Sequence, residues 1–100
     1  MFVAVWRFTT DVPAEFERHY GPDGSWAELF RRDPAYVRTD LLRDGTSYVT
    51  LDWWISRAAY DTFRAKHATD YATLDFMCEA ATTEEEKLGE FETADTGIED

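Results

Sequence analysis

His67 is the side chain best suited to chemistry in this 100-residue chain. An imidazole titrates near neutral pH and can take a proton from a phenol or an activated carbon. His67 recurs in a stripe of Tyr60, Phe63, His67, Tyr71, Leu74 and Cys78, spaced by three and four residues. Such spacing lines one face of a single long helix or of two abutting ones. His67 is then expected to point inward as a candidate base, with Tyr60 and Tyr71 placed to orient a substrate. The plainer role is a core histidine bonded to a backbone carbonyl or a tyrosine, and both readings stand. Trp26, Trp53, Trp54 and Phe63 are candidate pocket walls, although aromatic rings serve core and interface packing just as well.

Other chemistries find little support. There is no Cys-x-x-Cys, His-x-x-x-His or His-Glu-x-x-His, so no metal ligand set is expected. No glycine-rich phosphate loop is present, and no cofactor is expected. Cys78 is the only cysteine and has no basic neighbour, which makes it a packed thiol rather than a nucleophile. The chain lacks Asn and Gln entirely, so carboxylates, Arg, His, Tyr, Ser and Thr must supply the polar groups of any site. The net charge of −11 repels phosphate backbones and anionic lipid, which argues against nucleic-acid and membrane-surface binding. No apolar run approaches the roughly 20 residues of a membrane span, and the N-terminus does not read as a signal peptide. A lone thiol suits a reducing compartment, and a cytoplasmic location is expected.

The elements that must position these groups follow from periodicity. Phe2–Thr9 reads as a strand with apolar residues on both faces, which implies cover on both faces. Asp11 is the expected cap of a helix ending at Gly21, and Ser25 with Glu28 the expected capping box of a short second one. Tyr36–Arg43 and Ser47–Trp54 form a predicted hairpin. A three-residue loop pairs Arg43 with Ser47 and Leu41 with Val49, segregates polarity best and sets Arg38 opposite Asp52 as an ion pair. Ser56 caps the helix or helices carrying the His67 stripe. The Glu84–Glu86 run reads as a solvated face, and a last strand is expected near Leu88–Thr93. The order is strand, helix, strand, strand, helix, strand, a ferredoxin-like βαββαβ α+β sandwich. Residues 1–93 are expected to form one domain, and 94–100 an acidic mobile tail.

In that fold the helices cover one face of a four-stranded antiparallel sheet, and no chain remains for the other. A second copy packed back to back is the economical cover, so a homodimer is expected. Trp53 then lies under the helices and Trp54 against the partner sheet, or the reverse.

The stretches "VAVWRF", "AYVRTDLLRD", "YVTLDWWISRAAYDTFRAKH" and "EEEKLGEFE" together resemble the dimeric α+β barrel superfamily, in particular its antibiotic-biosynthesis-monooxygenase-like branch. The likeness runs from Phe2 to Glu92. It implies a homodimer with a pocket in each subunit between sheet and helices, open to a small hydrophobic molecule. Members include cofactor-independent monooxygenases of polycyclic phenols, haem-degrading enzymes and isomerases. A tryptophan precedes the family's Glu-Ser-x-Glu-Ala stretch, and Trp54 before "ISRAAY" holds that place here. Several oxygenase members also rely on a pocket asparagine, which this chain cannot supply. Two functions are carried forward: a cofactor-independent oxygenase of an aromatic metabolite with His67 as base, and a non-catalytic homodimer that binds an apolar ligand. Haem binding through His67 is a remoter third.

Overall fold

The computed structural model describes residues 1–94; the segment expected to form the acidic tail lies outside the described residues from 95 onward. Strand β1 (Phe2–Thr9) is followed by helices α1 (Pro13–Tyr20) and α2 (Ser25–Phe30), the hairpin β2 (Tyr36–Asp44) and β3 (Ser47–Trp54), helices α3 (Arg57–Lys66) and α4 (Ala68–Cys78), a 3-10 turn (Glu79–Ala81) and strand β4 (Glu84–Glu92). The four strands form one antiparallel sheet in the order β2-β3-β1-β4. The expected α+β sandwich is present, with all helices on one face.

Period-two alternation assigns every strand residue to a face. On the helix side, rows across the sheet read Tyr36, Trp54, Phe2, Glu92; then Thr39, Asp52, Ala4, Glu90; then Leu41, Thr50, Trp6, Lys87; then Arg43, Tyr48, Phe8, Glu85. On the other side they read Arg38, Trp53, Val3, Phe91; then Asp40, Leu51, Val5, Gly89; then Leu42, Val49, Arg7, Glu86. Trp54 is therefore the tryptophan beneath the helices and is fully buried. Trp53 faces outward, with its Nε1 donating to Asp40 at 3.0 Å.

The hairpin register differs from the expected one. Asp44 pairs with Ser47 and Leu42 with Val49, around a two-residue loop of Gly45 and Thr46. Gly45 has φ +64°, the positive value that primed hairpin turns require at their first loop position. A one-residue change of register moves side chains between faces. Leu41 thereby joins Thr50 under the helices, and the expected Arg38–Asp52 pair does not exist. Arg38 instead donates to Asp40 at 3.1 Å on the outer face.

Helix entry also departs from expectation. Val12 rather than Asp11 precedes α1, and the Thr10 hydroxyl accepts the Val12 N–H at 2.9 Å. Ser25 is the first residue of α2 and caps nothing, because its hydroxyl is engaged by His19 Nδ1 at 2.8 Å. Ser56 does cap α3, accepting from the Ala59 N–H at 3.1 Å. The last strand takes in the acidic run and starts at Glu84. Charged side chains suit this edge position, where an open ladder would otherwise invite pairing.

The core is built of rings. Trp54 meets Phe30, Tyr36, Tyr60 and Phe63 at centroid distances of 5.5, 5.4, 5.6 and 5.0 Å. Phe8, Phe16, Tyr20 and Tyr48 form a second group toward the other end of the sheet. Since Phe63 is wholly buried, Phe63→Ala should lower the unfolding free energy by about 3–5 kcal/mol. Urea unfolding followed by tryptophan fluorescence checks this, and a loss below about 1 kcal/mol would contradict the packing described.

Candidate functional site

A cavity lies between the sheet and the helices. Its floor is Trp6 and Phe8 of β1 with Thr50 and Asp52 of β3; Tyr20, Trp26, Phe30 and Tyr71 come down from α1, α2 and α4; Asp75 and Glu85 complete the lining. The space is about 40 Å³. That is enough for a few waters and far below the roughly 300–1,000 Å³ of typical ligand sites.

The floor exists because the residues flanking Asp52 on the helix side are small. Its cross-strand neighbours are Thr39 and Ala4, and its same-face neighbour Thr50 is short. A carboxylate at this point is met by no bulky side chain in its own row. Asp52 Oδ1 accepts from Thr39 Oγ1 at 2.7 Å, and Thr39 Oγ1 lies 2.6 Å from the Tyr36 hydroxyl. The remaining oxygen, Oδ2, has no hydrogen bond among the described residues. Burial pushes the Asp52 carboxyl up to about 6, partly offset by the Thr39 bond, which favours the charged form. The side chain retains some accessible surface, since it touches the cavity, yet protein surrounds it.

The phenols nearby behave differently. Burial raises both Tyr20 and Tyr71 well above the ordinary tyrosine value, so both stay protonated as donors. Tyr71 is held from one side by Arg64, whose Cζ lies 3.8 Å from the ring centroid. The same guanidinium donates to the Tyr60 hydroxyl at 2.8 Å. Trp26 lines the cavity, and its Nε1 is buried without a hydrogen-bond partner. A buried orphan donor carries a desolvation cost of about 1–3 kcal/mol. Burial likewise raises the Cys78 thiol to about 11, which keeps it protonated and packed.

Of the residues singled out from the sequence, Trp26 and Tyr71 line the cavity. Tyr60, Phe63 and Trp54 belong to the buried ring cluster behind it. Trp53 is on the opposite face of the sheet. His67 is not on a continuous stripe. It sits at the break between α3 and α4, with φ −110° and ψ 28°, outside the helical region. Its ring packs on Phe63 at 4.7 Å, and its Nδ1 lies 4.0 Å from Asp70, which pairs with Arg32. The break turns the imidazole away from the cavity lining. A macrocycle such as haem finds neither this histidine on the cavity nor space within it. Among the described residues no three His, Cys, Asp or Glu side chains gather as a metal site.

Asp52 is the functional candidate that pattern reading missed, because the expected register gave it to Arg38. Its signal was present: a lone carboxylate in period with Tyr48 and Trp54, on the aromatic face of the strand.

An antiparallel sheet backed on one side by helices, with a small cavity between the layers, defines the class: a ferredoxin-like α+β sandwich. No family model matches the sequence, and no curated protein does. Solved structures do. SnoaB, a cofactor-independent oxygenase from Streptomyces nogalater, is 30% identical over 98% of this chain and 97% of its own, with a TM-score of 0.74. A variant of SnoaB with one asparagine replaced by alanine matches over the same extent, with a TM-score of 0.75. The ActVA-Orf6 monooxygenase of Streptomyces coelicolor, in complex with nanaomycin D, shares the fold at 20% identity, covering 99% of this chain and 92% of its own, with a TM-score of 0.68. The chain belongs to the antibiotic biosynthesis monooxygenase family of the dimeric α+β barrel superfamily. With no asparagine to draw on, the cavity has Thr50, Asp52, Asp75, Glu85, Tyr20 and Tyr71 as its polar lining residues.

The Asp52 shift has a consequence for stability. The folded chain binds this proton more tightly than the unfolded one, whose carboxyl titrates near 3.8. The favourable contribution is thus full below pH 3.8 and lost as pH rises through 6. At neutral pH the ionised group costs the fold up to about 3 kcal/mol. Asp52→Asn should therefore stabilise the protein at pH 7.5 and leave it nearly unchanged at pH 3.5, by urea unfolding at both. Equal effects at the two pH values would show that Asp52 is not desolvated.

Proposed function

We propose that the protein is a cofactor-independent oxygenase of a small aromatic metabolite, working as a cytoplasmic homodimer. The observation that carries this reading is 30% identity across nearly the full length of a cofactor-independent oxygenase, joined to an aromatic-walled cavity with the half-buried carboxylate of Asp52 on its floor.

The chemistry needs little from the protein. A phenol with an acidic CH2 in its keto form loses a proton. The anion passes one electron to dioxygen, and the carbon radical and superoxide join in a C–O bond. The resulting hydroperoxide loses water and leaves a carbonyl. In sum, CH2 and O2 become C=O and H2O, and no outside reductant enters. The protein must exclude bulk water, hold the ring and accept the proton.

Ring-sized substrates require the cavity to widen. Helix α4 is the element suited to yield: Cys78 is its one buried residue, Tyr71 and Leu74 are half-buried, and Phe76 and Met77 are 75% and 63% exposed. The break at His67 supplies a flexing point between α3 and α4.

The outer face of the sheet supports the dimer. Val5, Val49, Leu51 and Trp53 are only half-buried there and Phe91 is exposed, an apolar field edged by Arg7, Arg38, Asp40 and Glu86. A field of that kind on one side of a sheet seeks a second surface. Sedimentation should report a dimer at micromolar concentration, and Leu51→Arg should yield a folded monomer. A monomeric wild type would remove the dimer from this reading.

Purified protein should consume oxygen with anthrone and release anthraquinone. His67→Ala should keep at least half of that turnover, since the imidazole is off the cavity. Binding of anthrone without oxygen uptake would favour the non-catalytic binding role instead.

A further inference from the structure

We propose that Asp52 is the catalytic base of this cavity, its free Oδ2 taking the proton from the substrate and later returning it to the peroxide oxygen. The proposal rests on the oxygenase reading and names the residue that performs its first step.

The geometry singles out this carboxylate. Oδ1 is fixed by the Thr39 hydroxyl at 2.7 Å, itself backed by Tyr36, while Oδ2 is unengaged. The side chain is thus oriented through one oxygen, and the other serves a ligand on the cavity floor. Other ionisable groups around the cavity are poorer bases. Tyr20 and Tyr71 are held protonated by burial. Asp75 is exposed at the cavity edge; Glu85 lies there too, and although partial burial raises its carboxyl above the ordinary value, no hydrogen bond among the described residues orients it. His19 is tied to Ser25 and Glu15, remote from the lining.

The charged neighbours on the helix side of the sheet leave Asp52 uncompensated. No cation bonds it directly. On β4, Glu90 is paired with Arg57 and Lys87. Arg64 is committed to Tyr60 and Tyr71. On β2 the contacts are hydroxyls only, and Arg38 and Asp40 pair on the far face. A carboxylate desolvated without a counter-ion gains basicity, and Asp52 sits near 6. It is therefore ionised at neutral pH yet a stronger base than an exposed aspartate.

The steps balance. The substrate C–H or O–H bond breaks, its electron pair stays on the substrate, and Asp52 becomes the neutral acid. The anion reduces dioxygen by one electron and the C–O bond forms. The Asp52 proton then passes to the peroxide. As the O–O bond breaks, the departing oxygen leaves as water with the second proton of the CH2, and Asp52 is again a carboxylate.

The test uses wild type, Asp52→Asn and Asp52→Glu with anthrone as probe. Under argon at pH 7.5, wild type should generate the absorbance of the bound anthrone anion, and Asp52→Asn should bind anthrone without it. The infrared carbonyl band of a protonated carboxyl should titrate near pH 6 in wild type and vanish in Asp52→Asn. In air, Asp52→Asn should lose at least about 100-fold in kcat with KM changed less than about threefold. Asp52→Glu should recover part of the rate with a displaced pH inflection. Oxygen uptake by Asp52→Asn within threefold of wild type overturns the base assignment and leaves the oxygenase reading in place. Anion formation by wild type that is lost in Asp52→Asn, without oxygen uptake by either, overturns the oxygenase reading and the proton return while leaving Asp52 as the proton acceptor. Failure of wild type to bind anthrone overturns both.

Discussion

The structure depends on how one strand, β3, serves two faces. Its alternate residues Tyr48, Thr50, Asp52 and Trp54 face the helices, while Val49, Leu51 and Trp53 face away. Trp54 lies at the junction of β3, α2 and α3, with rings of Phe30, Tyr36, Tyr60 and Phe63 packed around it and no surface exposed. Burying an indole among rings contributes more than area alone, because edge-to-face contacts add about 0.5–1.5 kcal/mol each. This cluster fixes the separation of sheet and helices at one end. The Phe8, Phe16, Tyr20 and Tyr48 group fixes it at the other.

The cavity is what remains between those two props. Where large rings stop, Ala4, Thr39 and Thr50 are too short to fill the gap, and Asp52 is left facing it. A carboxylate in such a place destabilises the fold at neutral pH, and only Thr39 offsets that directly. Proteins retain a cost of this kind where a shifted group does work. Helix α4 completes the enclosure with few buried side chains, Cys78 alone being fully buried, whereas α3 buries Tyr60 and Phe63.

The two histidines illustrate how context decides chemistry. His19 bridges Ser25 and Glu15 and ties the end of α1 to the start of α2. His67 packs on Phe63 beside the Asp70–Arg32 pair where the chain turns from α3 to α4. Both are structural in their contacts, although imidazole is the commoner choice for proton transfer. The carboxylate on the cavity lining whose basicity is raised most by its surroundings is Asp52.

Composition and periodicity alone settled the order of elements, the antiparallel α+β sandwich and the family resemblance, because strand and helix periods are local and survive without knowledge of the contacts. They also singled out Trp26 as a candidate wall and Tyr71 as a substrate-orienting residue, and both line the cavity, whereas Trp53, Trp54 and Phe63 do not. They did not settle the hairpin register: the three-residue loop segregated polarity best on paper, whereas the chain closes on Gly45 and Thr46, with Gly45 at positive φ, and a single residue of slip exchanges the faces. Nor could they show that the helical stripe breaks at His67, because a three-four spacing looks the same across a continuous helix and a bent pair. Those two facts together move the candidate base from His67 to Asp52. The strength of a base depends on its solvent exposure and partners, and these exist only once Thr39, Ala4 and the aromatic props stand around it.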